Sequence, residues 1–128
     1  MGYTLIYKTK EFASLTKKES LSDDALVVAC KEMADGLYDA DLGGNVYKKR
    51  IATGNKGKSA GYRTIIGAVI GDKYFFLYVF AKQAKANINV KEKLALKELA
   101  NEFLSFTQAQ LDQLVSDGEL LIVGDAHE

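Results

Sequence analysis

Between Val46 and Lys85 the chain runs VYKKRIA, a loop TGNKGKSAG, YRTIIGAVI, the turn GDK and YFFLYVFA, closing on KQAK. Three runs rich in β-branched and aromatic residues, separated by glycine-bearing turns, are the pattern of successive antiparallel strands. Tyr74 to Ala81 is apolar throughout, which suits a central strand buried on both faces. The two helices expected ahead of this sheet have apolar stripes to bury, and it is the only large apolar surface on offer. Helices packed on one side of a mainly antiparallel sheet make an α+β layer architecture. At 128 residues the chain is expected to form one domain, 1–128, with a core that needs no staples.

The remaining elements follow from local signals. Tyr3 to Tyr7 alternates and reads as a short first strand. Lys10 to Glu19, with Phe12 and Leu15 three apart, reads as a short helix. Ser22 ahead of Asp23 and Asp24 is an N-cap with acids in the first turn, and the helix it starts runs through Leu26, Val27, Cys30 and Met33 to a stop at Gly36. Gly43-Gly44 releases the chain into a strand over Tyr47 to Ala52. There Lys48 and Arg50 share one face, and Tyr47, Lys49 and Ile51 the other. The strand Tyr62 to Ile70 puts Arg63 in line with Ile65, Gly67 and Val69. A helix is predicted from Val90 to Phe106, with Leu94, Leu96, Leu99, Phe103 and Phe106 on its apolar stripe. Thr107 and Gln110 form a capping box for a further helix to Ser116, and Glu119 to Val123 adds a strand or a packed tail; 107–128 reads as a C-terminal extension.

Lysine and arginine total 17, as do aspartate and glutamate, but the average hides a segregation. From Asn45 to Lys97 there are twelve cations and two anions, a balance of +10, which leaves −10 for the rest of the chain. One face made for a polyanion, with the remainder keeping the protein in solution, produces this footprint. The single cysteine, Cys30, sits at core spacing in ALVVACKEM and permits no internal disulfide, which favours a reducing compartment. No run approaches the ~20 apolar residues that span a bilayer, and MGYTLIYKTK lacks a signal-peptide pattern, so the expected location is the cytoplasm, with no membrane partner.

Several chemistries are excluded. Gly57-Lys58-Ser59 resembles a phosphate loop, but the glycine required five residues earlier is Ala52, and the loop leads into a strand where that motif needs a helix. The only histidine, His127, lies in the polar tail, so neither a metal site nor a histidine-activated nucleophile can be assembled, and no cofactor is expected. What remains is a basic, tyrosine-containing surface. Arginine and lysine hold phosphates and stabilise a pentacovalent transition state. RNA suits such a surface because its own 2′-hydroxyl is the nucleophile, and the protein has only to splay the strand, align that oxygen and neutralise charge.

The order strand, two helices, VYKKRIA, GKSAGYRTIIGAVI, KYFFLYVFAK and a KANI segment resembles the RelE/HigB-like toxins of type II toxin–antitoxin modules, specifically those with a GKSGGYR-like loop. The resemblance covers Thr4 to Val123. It implies a RelE-like fold, with two N-terminal helices on one face of a small antiparallel sheet and helices at the C-terminal end. It also implies a metal-independent endoribonuclease that cuts ribosome-bound mRNA in the A site, restrained by a cognate antitoxin that carries a DNA-binding domain. Lys48, Arg50, Arg63 and Lys82 are then the catalytic candidates, with Arg63 on the scissile phosphate. Lys49, Lys56, Lys58, Lys85 and Tyr62 are candidates for RNA or ribosome contact. The general acid that many relatives carry after the last strand is replaced here by Gln83, Asn87 and Ile88, so Tyr62 and Tyr78 stand as substitutes for it or as stacking residues. The alternative from a binding class is a non-catalytic inhibitor of DNA gyrase with the same fold, or an inactive toxin-like binding domain.

Overall fold

The structure, a computed structural model, describes residues 4–17, 21–51, 61–81 and 87–123. The first strand, β1 (Leu5–Thr9), passes directly into the short helix α1 (Lys10–Leu15), because the Thr9 hydroxyl accepts from the Phe12 amide and caps it. Ser22 caps α2 (Asp23–Ala34) in the same way through the Ala25 amide, with Asp23 and Asp24 in the first turn as predicted. The helix ends where Gly36 was expected to stop it. The Gly36 and Leu37 amides return to the Met33 and Glu32 carbonyls and satisfy the last turn.

A strand not predicted from the sequence, β2 (Ala40–Gly43), comes next. Its two-residue turn, Gly44–Asn45, has φ of 63° and 65°, the primed geometry whose twist matches that of paired strands. The chain then enters β3 (Val46–Ile51), β4 (Tyr62–Val69) and β5 (Lys73–Ala81). Two helices follow, α3 (Val90–Ser105) and α4 (Gln108–Ser116), each closed by a capping box: Asn89 with Glu92, and Thr107 with Gln110. The last apolar stretch is a strand, β6 (Leu120–Ile122).

The six strands form one sheet in the order β2-β3-β4-β5-β1-β6. Every pairing is antiparallel except β1 with β5, where Leu5 lies opposite Lys73. Helices α1 and α2 cover one face, burying Ile6, Phe12, Leu26, Met33, Ile66 and Phe76. Helices α3 and α4 cover the other, over Tyr7, Ile65, Phe75, Ala100, Phe103 and Leu111. The sheet is thus sandwiched, with the two N-terminal helices on one face as expected and the C-terminal helices on the other; β5 is apolar from Tyr74 to Ala81, and both of its faces are covered. The stripe of α3 also differs from its predicted form: Leu94 is 59% exposed, and Ala100 takes the most buried place.

Ala100 is there because of Gly67. A Cβ on Gly67 would stand 2.7 Å from the Ala100 Cβ, so two small residues let α3 approach the sheet backbone. Tyr7, Phe75 and Phe103 stack in one column, with centroids 5.1 and 5.2 Å apart, and tie β1, β5 and α3 together. Among the described residues no helix is long and apolar enough to cross a membrane.

Candidate nucleic-acid interface

The β3–β4 ladder sets the geometry of the cationic residues. Its register pairs Val46 with Gly67, Lys48 with Ile65 and Arg50 with Arg63, while β4 pairs with β5 through Ile65 opposite Tyr78 and Arg63 opposite Phe80. Directly opposed residues share a face, so the register sets Lys48, Arg50, Arg63, Tyr78 and Phe80 on the α3 side of the sheet, and Arg50, at the end of β3, also lines a cleft against α2 beside Asp24, Val28 and Glu32. Along β4 on that side, Gly67 is pressed under Ala100, Ile65 is fully buried, and Arg63 emerges to partial exposure.

Two guanidinium side chains facing each other across a ladder repel, and like charges directly opposed destabilise a strand pair. The protein offsets only half of this. Asp39 accepts from the Arg50 amide at 3.1 Å and sets its other carboxylate oxygen 3.3 Å from Arg50 Nε. Arg63 has no ion pair among the described residues, and there neither its buried Nη1 nor the buried Arg50 Nε has a hydrogen-bond partner, the Asp39 contact to Arg50 being ionic only. A buried guanidinium nitrogen with nothing to donate to carries a desolvation cost, and an anion seated between the two arginines relieves both that cost and the repulsion.

Lys49 faces the opposite way. It is 3% exposed, and its ammonium lies 2.7 Å from a Glu32 carboxylate oxygen on α2. Its carbonyl accepts from the Thr64 hydroxyl at 2.8 Å, which pins β3 to β4 beneath that helix. A lysine held in this way has no charge to spare for RNA, which removes Lys49 from the candidate contacts. Tyr62 is half-buried and also packs on the α2 side, away from the arginines. Lys56, Lys58, Lys82 and Lys85, together with Gln83 and His127, fall outside the described residues. The Asn87 side chain accepts from the Ile88 amide, and Ile88 packs against the α3-side core. Cys30 is buried, and burial pushes its thiol pKa far up, leaving it protonated. Among the described residues no group of histidine, cysteine, aspartate or glutamate could hold a metal ion.

One contributor, Asp39, was not found from the sequence, and another, Tyr78, was named there without its placement. Asp39 lies eleven positions before Arg50 and reaches it only because the chain entering β2 runs alongside β3. Tyr78 reaches the cationic face through a bulge. Ile65 pairs with Tyr78 but Ile66 pairs with Phe76, so Leu77 is an extra residue, and Leu77 and Tyr78 both turn toward α3. Strict alternation along YFFLYVFA places Tyr78 on the other face, with Phe76, and bulge positions leave no mark in an all-apolar run.

A family model described as RelE toxin of RelE / RelB toxin-antitoxin system matches residues 4–123. No curated protein matches the chain.

Proposed function

Because the chain belongs to the RelE toxin family, we propose that it acts as a ribosome-dependent endoribonuclease that cleaves mRNA in the A site and is silenced by a cognate antitoxin. The observation that carries this reading is the opposed pair Arg50 and Arg63, adjacent to Lys48 in the β3–β4 ladder, with one buried nitrogen in each guanidinium group lacking a hydrogen-bond partner among the described residues. That arrangement fits a phosphate whose charge grows during in-line attack by the neighbouring 2′-oxygen. Arg63 binds the scissile phosphate, Arg50 braces it from the adjacent strand on its Asp39 support, and Lys48 steadies the 2′-hydroxyl side. The protein's contribution is alignment and charge neutralisation, which need no bound metal.

Expression of the wild-type chain is expected to arrest growth and leave new mRNA 5′ ends at fixed positions within codons, read by primer extension. Arg63→Ala is expected to lower cleavage on programmed ribosomes by at least ~100-fold, the scale of losing one preorganised donor to a transition-state oxyanion, while the variant stays folded by circular dichroism. Full cleavage by a folded Arg63→Ala protein would refute the assignment. Arrest without new 5′ ends would point to the gyrase-type inhibitor.

A further inference from the structure

We infer that Tyr78 is a base-stacking residue that fixes which nucleotide of the message lies beside the cleaved linkage, an inference that rests on the nuclease reading above. The bulge at Leu77 is the reason. Without it the tyrosine would point into the α2-side core; with it the ring lies on the same face as Arg63, one diagonal step away across the β4–β5 ladder. Tyr78 is half-buried, its ring centroid is 6.0 Å from that of Phe80, and Phe80 is itself directly opposite Arg63. A phosphate held at the arginines therefore has an aromatic surface at the distance of a neighbouring nucleotide.

Beyond the tyrosine the surface changes character. Tyr78 forms one wall of a groove of about 480 Å³ between α1 and α3, with Leu77, Leu96 and Leu99 as its apolar lining and Glu11 and Ser14 on its rim. A flat, apolar cleft with a few polar groups at its edge suits a splayed nucleobase, whose faces stack and whose edge hydrogen-bonds. The groove is continuous with the cationic face through Tyr78 itself, so one strand fills both, with its phosphate on the arginines and its base over the ring.

The test uses the full chain on ribosomes programmed with mRNAs that carry an abasic ribose at each of the three A-site nucleotides in turn. At one position the wild type is expected to cleave the base-bearing message about 10-fold faster than the abasic one, the scale of a single stacking contact. Tyr78→Leu is expected to lose that ratio while cleaving the abasic message at the wild-type rate, and Tyr78→Phe to keep it. Undiminished cleavage of the abasic message serves as the control for folding. If Tyr78→Leu retains the ratio, or slows both messages equally, the stacking role is overturned and the nuclease reading stands. If the wild type cleaves no message, the nuclease reading falls and takes this inference with it.

Discussion

The Lys49 ammonium is a buried charge facing Glu32 at 2.7 Å, and removing the acid strands it. Glu32→Leu is expected to lower stability by about 3 kcal/mol, read as a shift in the urea midpoint, whereas Lys49→Met combined with Glu32→Leu should return close to wild type. Side-chain alternation on β3 is enough to separate Lys49 from Lys48 and Arg50. It does not say that a carboxylate on α2 claims that lysine, because Glu32 lies seventeen residues away and only the packing of α2 on β3 brings the two together. Arg63 was legible for the opposite reason: a charge set in an apolar strand requires either a partner or a ligand.

At the scale of the elements, the contact between α3 and β4 depends on the absence of two side chains' worth of volume. Gly67→Ala places a methyl 2.7 Å from the Ala100 Cβ and is expected to destabilise the protein by about 2 kcal/mol, since a well-packed helix must shift to admit it. Pairing it with Ala100→Gly should recover part of the loss, and urea unfolding of the two single variants and the double variant measures the coupling. The helices were readable because caps and stop signals are local. Ser22, Gly36 and the Thr107–Gln110 box all act where the sequence put them. Neither β2 nor the side of the sheet taken by α3 was readable. The first is only four residues long, too short for its alternation to stand out, and the second rests on long-range packing such as that of Ala100 on Gly67. The bulge in β5 belongs to the same class, and with it the place of Tyr78.

For the whole molecule, the separation of +10 from −10 along a chain of zero net charge means that attraction to a polyanion is local and strongly screened. Binding to ribosomes is expected to weaken by roughly 10³-fold or more between 50 and 200 mM salt if about six phosphates are met. Lys48→Ala should flatten that dependence, measured by co-sedimentation, whereas Lys49→Met should leave its slope unchanged. The topology carries a different consequence. Thr9 pairs with Leu120, and β1 stands between β5 and β6, so the sheet closes through one of its most distant pairings in the sequence. Contacts of that separation form slowly and late. During synthesis the three strands bearing the cations are complete by Ala81, yet the strand that covers β1 has not been made until Ile122 is added. A nascent chain halted before that point carries β1 or β5 as a bare edge, ready to pair with another chain, so premature termination of this message is expected to yield aggregates instead of a shortened, working toxin.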